Sequence, residues 1–109
     1  MNEEPPPVII TRLSDSVYSS FAMLAGMQLD LFTPLEDGPL TAKELADTLD
    51  VQVTKLRPLL YALVVAELLN VEDGLFANTP EADRYLVQGK PSYLGGGHEL
   101  ESMLWEATL

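Results

Sequence analysis

"TAKELADTLDVQVTKLRPLLYAL", residues 41–63, holds two helical patterns separated by a tight turn. Thr41 with Glu44 makes a capping box. The threonine hydroxyl accepts from the Glu44 backbone N–H, and the glutamate carboxylate accepts from that of Thr41. Between Ala42 and Leu49, the residues Leu45, Ala46 and Leu49 fall on one side of a helix. Asp50 to Gln52 form the turn. Leu56, Leu59, Leu60, Leu63 and Val64 then mark a longer helix from about Val53 to Leu68. Pro58 falls in its second turn, where it removes one hydrogen bond and is expected to bend the helix. The spacing predicts a helix-turn-helix.

Upstream, Ser14 or Asp15 is placed to cap a helix running to about Phe32. Val17, Phe21, Leu24, Met27 and Leu31 form one apolar stripe on it, and Tyr18, Ala22, Ala25, Leu29 and Phe32 form a second beside the first. Thr33-Pro34 stops it, because a residue before proline avoids the helical region. "EDGP" at 36–39 is turn chemistry, and Leu40 begins a very short strand. Downstream, Asp73-Gly74 predicts a hairpin between strands Leu69–Glu72 and Leu75–Ala77. Thr79-Pro80 opens a short helix ending near Val87. After the loop "QGKPSYLGGG", "HELESMLWEATL" reads as a further amphipathic helix without a stop signal, which predicts that the native chain continues.

The expected fold is therefore mainly α: a winged helix-turn-helix with a long N-terminal dimerisation helix and a two-stranded wing. Residues 1–13 are an acidic, proline-rich arm expected to be disordered, 14–92 the winged-helix domain, and 93–109 the start of a connecting helix. At 109 residues one domain fits and two do not. With no cysteine, neither a disulfide nor a thiolate metal site exists, which suits a reducing cytoplasm. The longest apolar run, "LLYALVVA", is far short of the ~20 residues that span a bilayer.

Charge bears on whether the motif reads DNA. Seventeen acidic residues face six basic ones, a formal net charge of −11. Phosphate backbones and anionic membranes repel such a chain. A duplex binder neutralises roughly 6–10 phosphates. Here Arg12, Lys43, Lys55, Arg57, Arg84 and Lys90 would all have to serve, and they are scattered. Glu44, Asp47 and Asp50 precede the candidate reading helix, and the wing carries Glu72 and Asp73 with no basic residue. The motif reads as a scaffold, with no nucleic-acid or membrane partner.

No catalytic constellation is present. His98 is alone, without a partner to orient it as a base. Zinc would need three carboxylates beside that histidine, and no acidic cluster has calcium-loop spacing. "GGGHEL" has Leu100 where a dinucleotide fingerprint needs its last glycine, so it reads as a flexible joint. What the chain has in surplus is apolar surface. Tyr18, Phe21, Leu24, Met27, Leu29 and Phe32 on the first helix, with Leu100, Met103 and Leu104 near the end, are candidates for a homodimer interface. The alternative is that the two terminal helices cover each other within one chain.

Four stretches, "LDLF" (29–32), "GPLTAKELA" (38–46), "LLYAL" (59–63) and "NTPEADRYL" (78–86), followed by "PSYLGG" (91–96), resemble the N-terminal dimerisation domain of small-molecule O-methyltransferases of the caffeate, acetylserotonin and bacterial polyketide types. Their order and spacing carry the resemblance. It implies a first helix that interlocks with its mate. It also implies a following Rossmann-like catalytic domain that binds S-adenosylmethionine, where a histidine base deprotonates a small-molecule hydroxyl. That machinery lies outside these residues, so no catalytic, cofactor-binding or metal residue is assigned here. Met23 and Met27 are candidates for lining the partner's substrate pocket. Glu67 stands where the family usually has glycine before the wing, a departure expected to alter how the long helix ends. Two other readings remain at this level: a winged-helix DNA-binding transcription regulator, and a stand-alone dimeric interaction module.

Overall fold

A computed structural model describes residues 4–94. Helix α1 spans Val8–Gln28, followed by a 3-10 turn over Pro34–Asp37. Strand β1 (Leu40–Thr41) leads into α2 (Ala42–Leu49) and α3 (Val53–Val65). The wing is β2 (Leu69–Glu72) with β3 (Leu75–Asn78), and α4 (Pro80–Tyr85) follows. The three strands form one antiparallel sheet in the order β1-β3-β2. Leu40 of β1 and Val71 of β2 both pair with Phe76 of β3, which is buried beneath the sheet. The winged helix-turn-helix is thus the observed architecture, with β1 widening the two-stranded wing to three.

Local chemistry explains α2. Thr41 Oγ1 accepts from Glu44 N at 3.1 Å, while Glu44 Oε1 accepts from Thr41 N at 3.0 Å. Those bonds favour the ionised carboxylate, so the Glu44 pKa falls below the ordinary carboxylate value, the Thr41 backbone N–H contributing most. In the wing turn, Asp73 and Gly74 have φ of 51° and 76°, the pair of positive angles a type I′ hairpin requires.

Three helices end in the same way. At the end of α1 the Leu31 N–H reaches Gly26 O at 2.9 Å, at α2 the Val51 N–H reaches Ala46 O at 3.0 Å, and at α3 the Leu68 N–H reaches Leu63 O at 3.0 Å. Each is the long bond of a Schellman motif, and each needs one left-handed residue just before the donor. Those residues are Asp30, Asp50 and Glu67, with φ of 56°, 56° and 67°. This corrects two expected boundaries, α1 stopping at Gln28 rather than Phe32 and α3 at Val65 rather than Leu68. Glu67 does not change the way α3 ends: it adopts the backbone angle that glycine would supply. The helix start is also corrected. α1 begins at Val8, directly after the proline run, with Pro7 as N-cap and no side-chain cap, so neither Ser14 nor Asp15 opens it. Residues 8–13, expected to lie in an unstructured arm, are helical.

One core holds these elements together. Leu45 and Ala46 of α2, Leu56, Leu60 and Leu63 of α3, Leu69 and Phe76 of the wing, and Phe32 and Leu35 after α1 are all buried. α1 joins this core only through its C-terminal half, where Ala22 and Gly26 face α3. Gly26 has a steric reason. A Cβ there would stand 3.1 Å from Phe32 Cε2 and 3.3 Å from Leu63 Cδ1. The chain after α4 folds back to satisfy that helix's last carbonyls: Lys90 Nζ donates to Asp83 O (2.9 Å), Ser92 Oγ to Arg84 O (2.6 Å) and Leu94 N to Tyr85 O (2.9 Å).

Candidate functional site

Every residue from Val8 to Tyr18 is exposed, so the first three turns of α1 stand largely clear of the described body. Tyr18 is 74% exposed and Phe21 57%, and Leu13 and Val17 are exposed beside them. Arg12 and Asp15 are the only charged residues in the whole of α1. Where this helix passes α3, a groove of about 520 Å³ opens between Val17, Tyr18 and Phe21 on one side and Pro58, Leu59 and Ala62 on the other. A second depression of about 360 Å³ continues it past Tyr61 and Val65. Pro58 belongs to an unbroken helix and forms part of this apolar wall.

The structure sorts the residues expected at the interface. Tyr18, Phe21 and Leu29 are exposed, while Leu24 and Met27 are half-buried. Phe32 is corrected: it is 0% exposed, fully enclosed in the chain's own core, and cannot reach a second molecule. The left-handed turn at Asp30 folds it back under Gly26. Phe21 stays outside that core, at the edge of the groove with α3. Met23 and Met27, the candidates for lining a partner's pocket, pack partly against the chain's own core. Leu100, Met103 and Leu104, and His98 with them, lie outside the described residues. Sequence reasoning missed Ile9, Ile10 and Leu13, which are 62–70% exposed on α1. The signal was present, since Ile9, Ile10 and Leu13 stand at helical spacing soon after the proline run.

The helix-turn-helix and wing surface carries more acidic than basic side chains. Lys55 and Arg57 are exposed on α3, but Glu44, Asp47 and Asp50 are exposed on α2, as are Glu72 and Asp73 on the wing. Lys43 is 3.8 Å from Asp47. Lys90 is 2.9 Å from Asp83 Oδ2 and 3.9 Å from Glu36 Oε1. Lys90, with help from Asn78, holds the Asp83 carboxyl below its ordinary pKa. Two of the six basic side chains are thus already engaged. Among the described residues, no group of three or more His, Asp or Glu is placed to hold a metal ion, and no helix is long and apolar enough to cross a membrane.

The body is a winged helix with acidic side chains on α2 and the wing and an apolar first helix left largely uncovered by the described residues. Comparison with known proteins gives it a family. Residues 11–88 match the O-methyltransferase dimerisation domain, and the chain belongs to that family. It is 38% identical over 91 residues to the tetracenomycin polyketide synthesis 8-O-methyl transferase TcmO of Streptomyces glaucescens, covering 83% of this chain and 27% of that protein. To the N,N-dimethyltransferase OxyT of Streptomyces rimosus it is 36% identical over 87 residues, covering 80% of this chain and 25% of OxyT. Among solved structures, CalO1, a methyltransferase in calicheamicin biosynthesis in its SAH-bound form, superposes with a TM-score of 0.73 at 25% identity, over 84% of this chain and 27% of that one. The chain spans about a quarter of the length of the relatives it matches.

Proposed function

We propose that this chain is the homodimerising module of an S-adenosylmethionine-dependent methyltransferase, holding two catalytic domains together and helping to close a small-molecule pocket. The observation that carries this reading is the uncovered, nearly uncharged apolar surface of α1 and its groove with α3, in a chain whose family is a dimerisation domain. Two chains of charge −11 repel each other, so association needs a surface from which charge is excluded. The described surface concentrates that property on α1.

S-adenosylmethionine is the cofactor proposed for the parent enzyme, supported by the SAH-bound form of CalO1. The acceptor proposed is a small-molecule hydroxyl. One relative is named for O-methylation and another for N,N-dimethylation, so the choice of acceptor atom belongs to the catalytic part. The absence of cysteine supports a cytoplasmic setting.

Sedimentation of the chain tests the association, with a species of twice the chain mass as the expected result; a monomer at every concentration refutes it. Methyl transfer by the full-length native product, followed with isotopically labelled S-adenosylmethionine, tests the enzyme. Salt-sensitive binding to a DNA duplex at low ionic strength would favour the regulator instead.

A further inference from the structure

We infer that the first part of α1, Val8–Phe21, becomes a stable helix only as it docks on a second copy of this chain, so that folding of this arm and dimerisation are one event. The inference rests on the homodimer reading above and adds to it a disorder-to-order step.

Four observations converge. Every residue of Val8–Tyr18 is exposed, and the chain's own body meets the segment only toward its end, where Val17 and Tyr18 border the groove with α3, so little in the monomer holds its first turns helical. Its start is unsupported, with Pro7 as N-cap, no side-chain cap and no acidic residue in the first turn to complement the helix dipole. It opens on Val8, Ile9, Ile10 and Thr11, four β-branched residues of low helix propensity. The arm extends a helix whose C-terminal half is already docked, so it depends on propagation alone, and helix ends with weak propensity fray in water.

The arm also holds seven of the twelve exposed large hydrophobic side chains among the described residues. A monomer leaves them in water; a two-fold pair does not. The seat is the groove between α1 and α3, into which the partner's arm would lay Leu13 and Val17 against Pro58, Leu59 and Ala62. A second copy fits better than an unrelated partner, because the groove is continuous with the helix that the family match already includes. The groove lining also carries no charge that a differently charged partner could read.

The experiment is hydrogen–deuterium exchange on the 109-residue chain at concentrations bracketing dimer dissociation, with sedimentation in parallel, repeated on the double variant Leu13→Glu/Val17→Glu. Both side chains are exposed in the isolated chain, so the variant keeps its core. Expected is an arm whose backbone N–H groups from Arg12 onward are protected roughly tenfold or more in the dimer over the monomer, while Leu60 and Leu63 in α3 stay protected throughout. The double variant should be monomeric, with a fast-exchanging arm and a protected α3. A wild-type dimer whose arm exchanges alike in both states, or a double variant that still dimerises, overturns the inference and leaves the homodimer standing. A wild type that is monomeric at every concentration overturns both.

Discussion

Glu67 shows how a single backbone angle can outweigh side-chain preference. Its φ of 67° costs a non-glycine residue about 1–2 kcal/mol, and its carboxylate sits at the negative end of the α3 dipole. Glu67→Gly removes both penalties at the expense of a more flexible unfolded chain. The expected net gain is about 0.5–1 kcal/mol, seen as a raised urea midpoint with unchanged slope. A midpoint that falls would mean that the glutamate has an unrecognised stabilising role. Gly26 is the opposite case. Any side chain there begins with a Cβ 3.1 Å from the Phe32 ring, so Gly26→Leu should cost about 1–3 kcal/mol through overpacking. An unchanged melting temperature would show that α1 and α3 can separate freely. Neither effect is visible from composition: Glu67 stands out only as a family departure, and nothing in the apolar spacing singles out Gly26.

Helix α2 was readable because its signals are local. The capping box, the apolar face and the turn all lie within residues 41–52, and the observed bounds Ala42–Leu49 are those its pattern predicts. Thr41→Ala should cost about 1 kcal/mol, measured by chemical denaturation. Charge in the box gives a pH test. The Glu44 pKa lies below its ordinary 4.5, so the carboxylate's contribution is fully present above that value and is lost as pH falls through the lower folded value. The stability gap between wild type and Glu44→Gln should be constant near neutrality and close in acid, where both side chains are uncharged. A gap that widens in acid would contradict the bond to the Thr41 N–H. Helix α1 was less readable. Its start has no polar cap to announce it, and its end is set by Asp30 turning left-handed, a choice that no periodicity encodes.

For the molecule as a whole, stability and association are coupled. A protein that buries apolar surface only on pairing is stabilised by mass action, so its melting temperature should rise with concentration. Calorimetry over a hundredfold range of concentration checks this, and a constant melting temperature would sever stability from pairing. Added salt should strengthen the pair by screening repulsion between two chains of charge −11. A DNA complex would show the opposite salt response.

The winged-helix body, the acidic helix-turn-helix face and the family resemblance were all legible along the chain, because each rests on short-range chemistry: caps, turn residues, apolar spacing and net charge. The spacing also showed that the first helix carries more apolar surface than one side can bury. Which part of it is buried emerges only from the packing in three dimensions. Both stripes are exposed toward the helix start, at Val17 and Tyr18, and both end in buried residues, Leu31 and Phe32, so the division also runs along the helix and depends on where the chain goes after Gln28. The left-handed Asp30 sent Phe32 into the chain's own core beneath Gly26, and Phe21 was left facing water. Burial depends on where the neighbours lie in space, and spacing along one helix cannot specify that.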